Sequence, residues 1–283
     1  MLRETLKLTG AMMIFGTLGI FAFYTPLPSS FISCARCIVG ALFILLVMAV
    51  RRERLHWSTA RANGRFLLPA GALLGTNWVF AFEAYRYTTV PIATLCYYMA
   101  PILVIVMAPI LFKERLTLRK LACAAAAVAG IALISSGAAN GSDDLRGIVY
   151  GLIGAAMYGS VMILNKKIQG LGDLERTFYQ LSLSALILVV YVVYDQAYTG
   201  LAFAPLTLVC LVTLCIAHTG IAYTLFFSAI SRLPALTSSI LVYVDPVTAI
   251  ILSALILHQP LSAVQMGGAV LVLGSTLAGG RAD

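Results

Sequence analysis

Ten long apolar runs fill most of this sequence, at 8–24, 30–50, 66–86, 90–112, 117–137, 146–164, 177–194, 204–230, 235–257 and 262–279. A helix needs about 20 mostly apolar residues to cross a bilayer, with about 17–25 as the working range. Each run is therefore read as a spanning helix, α1 to α10 in chain order. The runs are continuous and not alternating, which favours helices over the strands of a barrel. Little of the 283 residues remains for a soluble catalytic domain. Composition agrees, since 61% of residues are hydrophobic and 11% charged, against about 45–50% and about 25% in a soluble protein. The run at 8–24 could be mistaken for a signal peptide. It is long for one, carries Glu4 in its flank and lacks a small-residue cleavage site before Thr25-Pro26, so it is kept as α1.

The basic residues predict the orientation. Of the 19 Lys and Arg, all but Arg36, Arg86 and Arg146 fall on one side when the N-terminus is placed inside. The positive-inside rule then puts both termini in the cytoplasm. Anionic headgroups account for the net charge of +8 without a nucleic-acid partner. Cys34, Cys37, Cys96, Cys123, Cys210 and Cys215 all lie in apolar runs. With no further ligands near Cys34-x-x-Cys37 and no βα context, they read as small buried hydrophobes and not as a metal or redox site.

The chain also contains itself twice. At an offset of 145 residues, Gly75 falls on Gly220, Trp78 on Tyr223, Phe82 on Phe227, Ala84 on Ala229, Tyr98 on Tyr243, Pro101 on Pro246 and Leu116 on Leu261. Phe15-Gly16-Thr17 of α1 matches Tyr158-Gly159-Ser160 of α6 at an offset of 143. Two repeats follow, 8–137 and 146–279, each of five helices. Five is odd, so the second half enters the membrane inverted. The turn Lys113-Glu114-Arg115 between α4 and α5 is basic, and its counterpart His258-Gln259-Pro260 is not, as inversion requires. Inverted repeats in one chain are a recurring architecture of secondary transporters, with the substrate site near the midplane where the repeats meet.

The opening GAMMIFGTLG, the segment YRYTTVPIATLCYYMAPILVIVMAPILFKERLT and its echo SRLPALTSSILVYVDPVTAIILSALILHQPLS resemble the drug/metabolite transporter superfamily. The likeness is to its ten-helix members with two EamA-type domains, and it covers essentially the whole chain. Within that group the sequence is most similar to bacterial exporters of amino acids, including the aromatic amino acid type. The resemblance implies a bacterial inner-membrane protein with a central cavity lined by α1, α3, α4, α6, α8 and α9, which adds Tyr158 of α6 to the candidate wall. The small four-helix multidrug members carry a buried glutamate in their first helix. Here α1 has no acidic residue after Glu4, which argues against their proton-for-cation exchange.

Several residues are candidates for touching a solute. Gly75, Trp78 and Phe82 of α3 lie three and four apart on one stripe, and Gly220, Tyr223 and Phe227 repeat it on α8. Aromatic walls with polar tips suit a small organic solute. Tyr85 and Tyr87, nearer the end of α3, read as an interfacial belt. In α4 and α9, Tyr98 and Tyr243 precede Pro101 and Pro246. A mid-helix proline frees a carbonyl and kinks the helix, so the pair is read as hinges. Ionisable groups at membrane depth are costly and point to function. Asp245 could hold a proton, bind an ammonium or pair with Arg36, and Arg36 could attract a carboxylate. His218 could titrate; Asn77 and Thr94 are possible polar contacts. Glu83 and Arg86 are expected to pair across one turn of α3.

There is no Walker A motif, no GxSxG, no HExxH and no cluster of metal ligands, so neither ATP-driven pumping nor hydrolysis is supported. No cofactor is expected, and one copy of the chain suffices to enclose a cavity. The reading is a secondary transporter that exports small metabolites, amino acids first among them, by alternating access. A sugar-phosphate or nucleotide-sugar antiporter is the alternative, and it would need several cations at the cavity. An integral-membrane enzyme acting on lipids is a distant third. The predicted topology is tested by fusing reporters to the C-terminus in a bacterial host. A fluorescent protein should be bright there and alkaline phosphatase inactive; the opposite pattern would invert the topology.

Overall fold

The computed structural model describes residues 1–112, 117–136, 142–230 and 232–280. The turn Lys113-Glu114-Arg115, together with Leu116 and Arg281, lies outside the described residues. All the regular structure described is helical. Among the described residues, eight helices have the length and apolarity to cross a membrane: Leu2–Phe23 (α1), Ser29–Val50 (α2), Gly64–Tyr87 (α3), Val90–Met107 within α4, Leu118–Ser136 (α5), Ser142–Lys167 (α6), Asp173–Tyr194 (α7) and Pro205–Ile230 (α8). α9 consists of Ala235–Leu241 and Val244–Ile256, and α10 is Ala263–Gly280. A short helix, Trp57–Ala62, lies between α2 and α3. The outside of the bundle is apolar, with Leu42, Leu46, Leu186, Val190, Leu255 and Val270 exposed, as lipid contact requires. α1 begins earlier than the apolar run, because Glu4 is held by Lys7 at 2.9 Å and approached by Arg232 at 4.0 Å.

Loop contacts sort the helix ends into two faces. On the face that carries Met1, Glu4 meets Arg232, Glu175 accepts hydrogen bonds from the backbone and ring of His56, and Asn63 bonds the backbone of Gln169. On the opposite face Thr88 donates to Asp144 at 2.5 Å, and Val90 N donates to the side chain of Gln259 at 3.0 Å. Alternate connections thus lie on alternate faces, as ten spans demand.

The two halves interlock. α3 packs on α6 and α4 on α6; correspondingly, α8 packs on α1 and α9 on α1. α3 also packs on α7, as α8 does on α2, while α2 meets α7 and α5 meets α10. Exchanging the halves maps this contact set onto itself, so the architecture is two inverted five-helix repeats about a pseudo-twofold axis. The axis passes where a residue touches its own repeat partner. Trp78 stacks on Tyr223 at 6.2 Å between centroids, and Tyr98 lies 6.4 Å from Tyr243.

Two glycines permit the interlock. A β-carbon on Gly16 of α1 would lie 2.6 Å from the Asp245 carbonyl oxygen and 2.6 Å from Thr248 Cβ of α9. Its repeat partner Gly159 of α6 faces the Ala100 carbonyl of α4 at 3.1 Å. These carbonyls belong to the residues just before Pro246 and Pro101. α4 and α9 are broken there and not merely kinked. Met99 N bonds Cys96 O and Tyr243 N bonds Ile240 O, both at 3.1 Å, so a tighter turn replaces the helical bonding ahead of each proline. Gly16→Ala should cost about 1–3 kcal/mol of stability by overpacking a filled contact. A lowered unfolding midpoint by size-exclusion thermostability would register it. Gly10→Ala, where nothing lies within 4 Å, should leave the midpoint unchanged.

Candidate functional site

The breaks bring α4 and α9 face to face on the axis. Pro246 has no N–H, so the carbonyl of Val242 loses its ordinary helical donor. Tyr98 of α4 reaches across to this spot. Its Oη lies 3.4 Å from Val242 O and donates to Asp245 Oδ2 at 2.7 Å. Asp245 N also approaches Val242 O, at 3.4 Å. The carboxylate is thus held by a hydroxyl of the other half and does not pair with Arg36. Its repeat partner is Ala100, so only one of the two breaks carries an ionisable side chain.

Arg36 enters the bundle from α2 and is 2% exposed. Its Nε donates to Thr219 Oγ1 at 3.0 Å, and its guanidinium carbon lies 4.1 Å from the centroid of Trp78 and 5.2 Å from that of Phe82. Cation–π contacts of this kind are worth about 2 kcal/mol when desolvated. Guanidinium offers five N–H donors, and among the described residues no carboxylate lies within ion-pair distance of it.

An aromatic stack joins the halves beside Arg36. Trp78 lies on Tyr223 with 18° between planes, and Tyr223 lies on Phe227 at 5.8 Å and 15°. Phe15 of α1 meets the edge of Tyr223 at 5.4 Å. Its repeat counterpart, Tyr158 of α6, stacks instead on Tyr97 at 5.5 Å. The aromatic residues expected along a cavity wall are therefore packed on one another, and the space lies toward the face opposite Met1. A cavity of about 300 Å³ there is lined by Leu27, Ser29, Ile32, Phe82, Tyr85 and Arg86, among others. Tyr85 belongs to this cavity and packs on Phe82 at 6.3 Å, not to an interfacial belt. Tyr87 packs on Tyr150 at 5.5 Å.

Other predicted positions have structural partners. Gly75 faces α7, where a β-carbon would lie 2.7 Å from Ser184 Cβ, and its twin Gly220 faces the ring of Phe43 on α2 at 2.6 Å. Asn77 is fully buried; its amide donates to the carbonyls of Leu73 and Leu74, and its oxygen accepts from Tyr97 Oη at 2.7 Å. His218 is 1% exposed, with Nε2 2.9 Å from Thr17 Oγ1 and Nδ1 3.2 Å from Thr213 O. It sits in a π-helical segment of α8, Leu214–Ile221, a feature that often marks functional sites. Thr94 lies 3.5 Å from Tyr85 Oη. Glu83 and Arg86 do not pair with each other among the described residues; instead their side chains line a common cavity.

Sequence reasoning missed Tyr97, Phe15 and Thr219 as members of the site. The match of Phe15 to Tyr158 across the repeats was a signal for Phe15, which meets Tyr223 of the other half, but not for Tyr97. Thr219 carried none, since its role rests on the π-helical register.

Known proteins share this design. Residues 4–136 and 145–278 each match the EamA-like transporter family. A relative from Bacillus subtilis (strain 168), described as "Uncharacterized transporter YxxF", is 31% identical over 255 residues, spanning 87% of this chain and 79% of its own. One solved structure, described only as the crystal structure of a protein, superposes with a TM-score of 0.67 over 98% of this chain and 96% of that one, at 18% identity. At that identity the likeness is one of fold. With both halves matched and the interlocked repeats in view, this multi-pass membrane protein belongs to the EamA-like transporter family.

Proposed function

We propose that this transporter exports amino acids, those with aromatic side chains above all, by alternating access, as a monomer in a bacterial inner membrane with both termini cytoplasmic. The observation that carries the proposal is Arg36. A buried guanidinium stacked on Trp78, with most of its donors unused and no carboxylate beside it, is costly unless a ligand completes it. A solute carboxylate would do so with charge-assisted hydrogen bonds. Asp245, held by Tyr98 where α4 and α9 meet, would be the negative counterpart for an ammonium group. A solute ring between Trp78 and Tyr223 would replace the contact those rings make with each other.

Rocking of one half against the other about the Pro101 and Pro246 breaks would then expose the site to each face in turn. Proton exchange during the cycle, where it occurs, is assigned to Asp245, which accepts from the hydroxyl of Tyr98. A phosphorylated-sugar substrate is the second reading and is favoured by the same Arg36. It is the weaker one, because a phosphate dianion calls for more cations than the stack offers.

Counterflow in proteoliposomes, with radiolabelled amino acids, nucleosides and sugar phosphates, tests the proposal. Phenylalanine or a related amino acid should exchange. Trp78→Ala, Tyr223→Ala and Asp245→Asn should each reduce that flux about tenfold or more while the protein still expresses. Arg36→Lys should reduce it as well despite keeping the charge, since an ammonium lacks the planar fork. Unchanged flux in all four variants would overturn the site, and exchange confined to sugar phosphates would favour the second reading.

The chain's two tryptophans allow a direct binding assay. Trp57 is 72% exposed and Trp78 is 6% exposed. In Trp57→Phe all indole emission comes from Trp78, and it should change saturably as phenylalanine is added. Emission indifferent to every amino acid in the panel would count against the ring-insertion geometry.

A further inference from the structure

A second cavity, of about 360 Å³, opens on the face opposite Met1 between the ends of α2, α3, α6 and α7. Glu83 and Arg86 of α3, Asp195 just past α7, and the rings of Tyr150 and Tyr191 line it. None of these three charged side chains has an ion-pair partner among the described residues. Ser29, at the start of α2, is 2% exposed and lines the cavity, and its hydroxyl has no hydrogen-bond partner there. A buried hydroxyl left unsatisfied is costly and calls for a partner.

The first cavity, which reaches in to Phe82, shares Ser29 and Arg86 with the second. On α3, Trp78, Phe82 and Arg86 follow at successive intervals of four residues, along one face of the helix. Arg36 covers the first two of these, and Arg86 stands one turn further toward the opposite face. The charges also select a chemistry. A simple cation would be repelled by Arg86 and a simple anion by Glu83 and Asp195. A molecule with both charges satisfies all three.

We propose that the ends of α2, α3, α6 and α7 form a second ligand site, separate from the central stack, for a zwitterion bearing an ammonium and an anionic group. The anionic group engages Arg86 and Ser29, and the ammonium engages Glu83 and Asp195. The site is a waiting position on the route between Arg36 and the opposite face. This rests on the amino acid reading of the central site, because the same solute would occupy both. Phosphatidylethanolamine headgroups share the chemistry and are the other source of such a ligand.

Equilibrium binding of radiolabelled L-phenylalanine to the full chain, in nanodiscs of phosphatidylglycerol alone, tests the proposal. The wild type should bind about two molecules per chain, one at the central stack and one at the cavity lined by Glu83, Arg86 and Asp195. Glu83→Gln/Arg86→Gln should bind about one, and Trp78→Ala about one. Asp195→Asn, at an exposed position outside the helical packing, should weaken the component that the double variant removes.

If the wild type binds one molecule, lost in Trp78→Ala and untouched by the double variant and by Asp195→Asn, the second site is overturned and the central one stands. Loss of the single bound molecule in the double variant but not in Trp78→Ala would do the reverse. No binding by the wild type overturns both. Adding phosphatidylethanolamine separates the two sources. Displacement of only the double-variant component assigns the site to the lipid headgroup, and no displacement assigns it to the free solute.

Discussion

The contact of Gly16 with the carbonyl before Pro246, and of Gly159 with the carbonyl before Pro101, sets the geometry that the rest of the structure inherits. A side chain at either position would push α1 off α9 or α6 off α4. With hydrogen in its place, each half lays its first helix against the other half's broken helix. The two breaks are thereby brought to the pseudo-twofold axis. Protein interiors are close-packed, so this approach fixes the neighbours as well. α3 and α8 are held near enough for Trp78 to stack on Tyr223, and α4 and α9 for Tyr98 to reach Asp245. In lipid no water satisfies a freed carbonyl. The Tyr98 hydroxyl near Val242 O is therefore as much a condition of the fold as a feature of the site.

Symmetry supplies the frame, and departures from it supply the chemistry. Ala100 and Asp245 occupy equivalent places, yet only one is ionisable. α2 carries Arg36 at membrane depth, whereas the span 177–194 of α7 has no basic residue. α3 is regular over the stretch that corresponds to the π-helical segment of α8. That extra width lets Thr219 bond both Leu214 O, five residues back, and Arg36. Without it the guanidinium, which lies over Trp78, would lose its hydrogen bond to Thr219. A binding site for an asymmetric solute needs unlike poles, and a pair of identical halves could not provide them.

The spans and the repeat were legible because both are written in hydropathy and in residues with little tolerance, namely proline, glycine and aromatics. The site was legible only in part. Trp78, Phe82, Tyr223 and Phe227 were singled out as candidates because they recur, and the fold packs Trp78, Tyr223 and Phe227 together. Gly75 was grouped with them because a stripe with spacings of three and four spans roughly 100° of helix surface, wide enough to touch two different neighbours. In the folded chain Trp78 and Phe82 face the axis and Gly75 faces α7. The expected Glu83–Arg86 pair failed for a related reason. Spacing shows that two side chains are able to meet, and here a cavity beside them gives each another direction to take. Tyr97 and Thr219 depend on long-range partners, Asn77 and Arg36, which no local pattern encodes.

The stacked aromatics bear on how such a site could work. Trp78, Tyr223 and Phe227 fill the axis with one another, while the cavity on the face opposite Met1 stops at Phe82. Parting the rings with nothing between them would expose apolar surface beside a buried charge. On the proposed reading, an aromatic solute would remove that cost, because its ring would take the place of the lost contact and its carboxylate would take up the idle donors of Arg36. A ligand shifts a conformational equilibrium only by its difference in affinity for the two states. A stack that closed on itself when empty and opened around a ring would build that difference into the site. On the proposed reading, the packing of Trp78, Tyr223 and Phe227 on one another is the reason an aromatic zwitterion, and not a compact polar solute, would drive the halves apart.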